Sequence, residues 1–139
     1  MGGADHETQN NLRDYGMNLG VAFQLIDDLL DFTSSEEVLG KPAGADLLEG
    51  KVSLPLIFLL QRAPELRGGI QTVISEASYK SVSRASLLDA MERTGALQLA
   101  FERAIEYATA ARSSLDGLND SPYAQVLASI PSYIVERDR

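Results

Sequence analysis

Residues 23–32 read FQLIDDLLDF and set three carboxylates, Asp27, Asp28 and Asp31, inside a run that is otherwise almost wholly apolar. An ionised carboxylate is expensive to bury and is rarely found fully inside a protein. On a helix at about 100° per residue with Asp27 at the origin, Asp31 falls near ~40°, Gln24 near ~60° and Asp28 near ~100°. Gly16 and Gly20 fall within ~20° of Asp27, on either side. Val21, Ala22, Phe23, Leu25, Ile26, Leu29, Leu30 and Phe32 cover most of the remaining circumference. A helix that is apolar nearly all round is expected to be buried. Its narrow polar wedge then faces a cavity, a partner charge or a metal.

Like charges at adjacent and i,i+4 positions repel and raise each other's pKa unless a cation neutralises them. A hard divalent ion does so, and Mg²⁺ typically takes one or two carboxylates together with substrate phosphates. The two glycines leave room for a ligand over the wedge. The competing reading is a solvated acidic face, or one that pairs with Arg or Lys from another helix. Two lysines follow in GKPAGADLLEGKVSLP: Lys41 after Gly40 and Lys51 after Gly50. A lysine ammonium is a common phosphate binder, so wedge and lysines together suit a Mg²⁺-bound diphosphate. Alone, each lysine reads as a surface-loop charge. A P-loop is excluded, because the spacing from Gly44 to Gly50 is wrong and Val52 follows Lys51.

The elements that must position these residues are all helical. Asp5 is the expected N-cap of a helix through Thr8 to about Phe32. Residues 33–46 carry Ser, Gly and Pro and read as a loop. From Ser53, SLPLIFLLQRA is a short apolar helix with Pro55 in its first turn. A third helix is expected near Leu66–Ser78. From Ser83, SRASLLDAMERTG has Ser83 as N-cap and Gly95 as its stop. Residues 96–116 form a long amphipathic helix, with Leu97, Ala100, Phe101, Ala104, Ile105 and Ala108 recurring at three and four. Asn119 to Pro122 is a turn, and Pro122 opens a last helix ending near Glu136. No period-two pattern lasts long enough for a strand.

The chain has 139 residues, enough for one domain with a core. Its net charge of −8 argues against binding a phosphate backbone, so no nucleic-acid partner is expected. It has no cysteine, which removes thiolate chemistry and disulfides and fits a cytoplasmic protein. The N-terminus has neither a basic n-region nor an apolar stretch, and no apolar run reaches a membrane span. His6, the single histidine, reads as solvated near the terminus. Tyr15, Tyr107, Tyr123 and Tyr133 read as core or boundary residues. Arg137 and Arg139 read as frayed terminal charges.

GMNLGVAFQLIDDLLDF, then GKPAGADLLEGK, then SLPLIFLL resembles the second aspartate-rich region of the trans-isoprenyl diphosphate synthases, or polyprenyl synthetases. Gly16, Gly20, Phe23, Gln24, Asp27, Asp28, Asp31, Lys41, Asp46, Lys51, Ser53, Leu54 and Pro55 stand in register with that pattern. The closing SPYAQVLASIPSYIVERDR also looks like the family's C-terminal helix. The resemblance implies an all-α fold, the C-terminal part of an isoprenoid-synthase-type helical bundle, with residues 1–139 as a single partial domain. It implies Mg²⁺-dependent condensation of isopentenyl diphosphate with an allylic diphosphate. Asp27 and Asp31 would ligate Mg²⁺ and Asp28 would support that site. Lys41 and Lys51 would meet the allylic diphosphate or its metals, while Phe23 and Gln24 would line the pocket where the substrates meet.

The family's first DDxxD, the arginine pair after it and the isopentenyl diphosphate site are not in this sequence. The chain alone is therefore expected not to be a competent synthase, and to be an excised piece, a truncated product or one half of a split enzyme. The expected partners are the missing N-terminal half or further copies of the chain, since helices stripped of their neighbours expose apolar sides that associate. A terpene cyclase and a non-catalytic partner subunit are the alternatives. Phe23-Gln24 and the Gly-Lys pairs favour the synthase, and the intact aspartates and lysines disfavour a damaged subunit.

Overall fold

The computed structural model describes residues 6–33, 43–116 and 122–136. Its helices are α1 (His6–Thr33), α2 (Ala45–Leu48), α3 (Leu54–Arg62), α4 (Arg67–Glu76), α5 (Arg84–Thr94), α6 (Ala96–Ser113) and α7 (Pro122–Glu136). A 3₁₀ turn, Pro64–Leu66, joins α3 to α4. Among the described residues there is no strand, so the all-α expectation holds.

Local chemistry accounts for most of the boundaries. Ser83 is extended at φ −73° and ψ 146°, and its hydroxyl accepts the Ser86 N–H at 3.1 Å, which satisfies a donor at the start of α5. Gly95 ends that helix at φ 80°, a left-handed conformation that costs glycine little. Ser53 precedes α3 with an extended backbone, and Pro55 sits in the first turn, where a missing N–H is harmless. Pro122 is the first residue of α7. The expected cap at Asp5 and the turn at 119–121 lie outside the described residues.

Three expectations need correction. Residues 33–46 are not wholly a loop: α1 runs to Thr33 and α2 starts at Ala45. The Asp46 carbonyl accepts the Lys51 N–H at 2.9 Å, and this bond closes the turn that follows α2. Second, α1 is not buried all round. Met17 is 66%, Phe23 43% and Val21 36% exposed, so these apolar side chains meet solvent rather than a core. Third, Tyr133 is neither core nor boundary but 73% exposed. Tyr15 is buried and His6 exposed, as expected.

Two compact units share the chain. One comprises α1 as far as Ile26 together with the chain from Glu102 onward, and the other comprises Asp27–Phe101. In the first, Tyr15, Ala111 and Leu115 form a small core. This unit also contains a proline inside a helix, Pro131 in α7. Proline has no N–H to give to the carbonyl four residues earlier, which is that of Leu127. The Tyr15 hydroxyl donates to the Leu127 oxygen at 2.6 Å and replaces the lost bond. Burial raises the Tyr15 pKa above the usual phenol range.

The second unit carries the larger core. Phe32, Leu47, Leu56, Leu59, Val73, Leu87 and Met91 are each 2% exposed or less. Burying one such side chain contributes about 1.5–3 kcal/mol. Phe32 stands in the last turn of the aspartate-bearing helix and Leu47 sits in α2, so the same core that stabilises this unit also fixes the backbone around the carboxylates. No helix among the described residues is long and apolar enough to cross a membrane.

Candidate functional site

The three aspartates have different surroundings. Asp27 is exposed, Asp28 is 6% exposed, and Asp31 is 1% exposed. The expected wedge is therefore split between a carboxylate at the surface and two inside. Burial of Asp28 is compensated by a cation: Lys51 Nζ donates to Asp28 Oδ1 at 2.9 Å and lies 3.6 Å from Asp46 Oδ2. A hydrogen bond to an ionised partner is worth roughly twice a neutral one. Hydrogen bonding to Asp28 holds the Lys51 ammonium above its usual pKa, with partial burial opposing and the charges of Asp28 and Asp46 assisting. The Lys51 side chain is still 48% exposed, so its charge also reaches solvent.

The last carbonyls of any helix lack partners within it, and two of those of α1 are met from two other segments. The Gly44 N–H donates to the Asp31 carbonyl at 2.7 Å, and Arg84 Nη1 donates to the Phe32 carbonyl at 2.6 Å. The Tyr79 hydroxyl in turn donates to the Gly44 carbonyl at 2.6 Å. Gly44 is required by both its φ of +77° and its surroundings: a Cβ would stand 2.6 Å from Tyr79 Oη and 2.9 Å from Arg84 Cδ. The Tyr79 pKa is pushed up to about 12, chiefly by burial and then by the negative charge of Asp31, with Arg84 opposing and Asp46 adding slightly.

Of the other residues expected at the site, Phe23 is 43% exposed and Gln24 is also exposed on α1. Gly16 and Gly20 are exposed, and a Cβ at either would meet nothing within 4 Å. Lys41 lies outside the described residues. Tyr79, Arg84 and Gly44 escaped the sequence reading. Gly44 stood in a glycine-bearing stretch, but nothing in SEASYKSVSRAS signals that Tyr79 and Arg84 reach the end of α1.

Carboxylate oxygens are the donors that Mg²⁺ and Ca²⁺ prefer. Among the described residues no three acidic or histidine side chains are grouped to hold a metal by themselves. The donor set thus fits an ion that takes one or two carboxylates from this chain and its other oxygens from a ligand or water.

The polyprenyl synthetase family model matches residues 1–91. Octaprenyl diphosphate synthase of Escherichia coli is 39% identical over 140 residues, covering 100% of this chain and 43% of that protein. Solanesyl-diphosphate synthase 2, chloroplastic, of Oryza sativa is 41% identical over 124 residues, covering 89% of this chain and 30% of that one. The crystal structure of a polyprenyl synthase from Caulobacter crescentus, complexed with calcium and isoprenyl diphosphate, superposes with a TM-score of 0.85 at 32% identity. It covers 99% of this chain and 42% of the other. The chain spans less than half the length of each of these relatives.

Proposed function

This chain belongs to the polyprenyl synthetase family, and from that premise we propose that it is the part of a cytoplasmic prenyltransferase that carries the second aspartate-rich region. The whole enzyme joins isopentenyl diphosphate to an allylic diphosphate in isoprenoid biosynthesis. The observation that carries this reading is the division of labour among the aspartates. Asp28 is buried against Lys51 and anchors the helix, while Asp27 is exposed on the same helix.

Asp27 and Asp31 serve as the Mg²⁺ ligands, and Asp28 supports them by holding Lys51 in place. Magnesium, when bound, neutralises the charge that gathers on the departing diphosphate. Lys51 adds an ammonium whose half-exposed side chain meets diphosphate oxygens, and Lys41 is assigned the same role by the resemblance. Phe23 and Gln24 line the place where substrates meet. Carboxylates and lysines of this chain bind and orient the leaving group. The rest of the machinery, including the first aspartate-rich motif, comes from a polypeptide that carries the family's N-terminal half, with further copies of the chain as the other expected partner, so the chain alone is expected to be inactive.

Calorimetric titration with Mg²⁺ and inorganic diphosphate tests the reading. Binding by the wild type that is at least tenfold weaker in Asp27→Ala, with an unchanged circular dichroism spectrum, supports it. Equal behaviour of the two proteins removes Asp27 from the site and the proposal with it. Adding a polypeptide that carries the first aspartate-rich motif should restore prenyl transfer.

A further inference from the structure

We propose that Arg84 is a positioning residue for Asp31, acting with Tyr79 and Gly44 to fix the last turn of the aspartate-bearing helix. The inference rests on the metal–diphosphate reading above and assigns a role to residues that reading does not use. Helix ends fray, because their final carbonyls have no partner in the helix. Asp31 lies two residues before the end of α1, so its carboxylate is only as well placed as that turn. Two carbonyls there, of Asp31 and Phe32, are engaged by Gly44 and Arg84 at 2.7 and 2.6 Å. The donors come from segments far along the chain, and Arg84 is 52 residues from Phe32.

The three clamping groups form one packed unit. Tyr79 holds the Gly44 carbonyl, and there is no space for a methyl group between Gly44, Tyr79 and the Arg84 stem. The guanidinium also carries its positive charge to the negative end of the helix dipole, where a cation is favourable. Asp31 is 1% exposed, so it cannot swing into solvent to compensate for a displaced backbone. A site that must hold a cation and a diphosphate depends on such support, since ligands displaced by a fraction of an ångström lose affinity.

Arg84 touches neither the ion nor the diphosphate in this scheme, so the test must separate positioning from simple helix capping. The full chain, isotopically labelled, is titrated with Mn²⁺ and inorganic diphosphate while paramagnetic broadening near Asp27 and Asp31 is followed. Amide exchange is measured at Gly44 and residues 30–33. Arg84→Ala is expected to raise the Gly44 exchange rate and to weaken Mn²⁺–diphosphate binding by about tenfold each, the effect of one charge-assisted hydrogen bond. Arg84→Lys, which restores a single donor and the charge, should recover most of both. Tyr79→Phe removes one hydroxyl and should weaken binding about threefold, and it serves if Arg84→Ala does not fold. Arg93→Ala, which breaks only an exposed ion pair with Asp89 on the same helix, should change neither.

Faster exchange with unchanged affinity reduces Arg84 to a helix cap and overturns the inference. Unchanged exchange overturns it as well. A wild type that shows no Mn²⁺–diphosphate broadening defeats the proposed function instead, and the exchange rates then decide the clamp alone.

Discussion

Tyr15 and Tyr79 perform the same chemistry in two different units. Each is at least partly buried, and each donates its hydroxyl at 2.6 Å to a backbone carbonyl, Leu127 for one and Gly44 for the other. The Leu127 carbonyl needs a partner because Pro131 cannot supply one. The Gly44 carbonyl belongs to a left-handed residue whose N–H holds the end of α1. The electrostatics differ. Burial alone raises the Tyr15 pKa, whereas at Tyr79 the charge of Asp31 adds to burial and takes the value to about 12. One hydroxyl repairs a helix, and the other belongs to the clamp around the carboxylates. A tyrosine–carbonyl bond therefore says little about function until its neighbours are known.

The largest effect is expected from Gly44→Ala, which strikes the clamp at Tyr79 and leaves the Tyr15 bond intact. Alanine at φ +77° costs about 1–2 kcal/mol, and the clash with Tyr79 and Arg84 adds a similar amount, so about 3 kcal/mol of stability should be lost. A urea midpoint within error of wild type would show that the clamp is loose. Lys51→Met should cost about 2 kcal/mol, because it leaves Asp28 buried without its cation. A urea midpoint within error of wild type would show that Lys51 does not compensate the burial of Asp28.

Tyr15→Phe should cost about 1 kcal/mol by leaving the Leu127 carbonyl without its donor. It should not alter Mg²⁺–diphosphate binding, in contrast to Tyr79→Phe. The smallest effect is in alkali. A phenol whose pKa is raised by folding stabilises the protein fully below its unfolded value near 10, and the contribution disappears as pH rises towards about 12. Melting temperatures between pH 9 and 12 should therefore fall, and Tyr79→Phe should flatten that fall more than Tyr15→Phe does. Equal slopes for the two variants would mean that Asp31 does not distinguish them.

Signals confined to a few residues were legible in the sequence. Ser83, Gly95 and Pro122 mark helix ends through chemistry that acts within one turn, and each stands at the boundary it predicted. The aspartates on an otherwise apolar helix pointed to charge that needs compensation, and Asp28 is compensated. The identity of the compensating group was less legible. Lys51 was read as a diphosphate ligand, yet in the folded chain its first partner is Asp28, 23 residues earlier. Helical arithmetic grouped the three aspartates on one wedge, but could not say which of them the second unit would cover.

The polyprenyl synthetase family entered through a resemblance of motifs, which the family model bears out; a helical chain and one helix with an anomalous set of carboxylates are written in composition and spacing. These follow from periodicity, capping and residue order, which are properties of near neighbours. The tertiary structure decided that Asp27 is exposed while Asp28 and Asp31 are buried, that Pro131 is tolerated through Tyr15, and that Arg84 and Gly44 close the end of α1. Those outcomes depend on donors and acceptors 13 to 112 residues apart, counting from Asp31 to Gly44 at the near end and from Tyr15 to Leu127 at the far end. Only chain packing brings such groups within hydrogen-bonding distance, and no local pattern records which of them will meet.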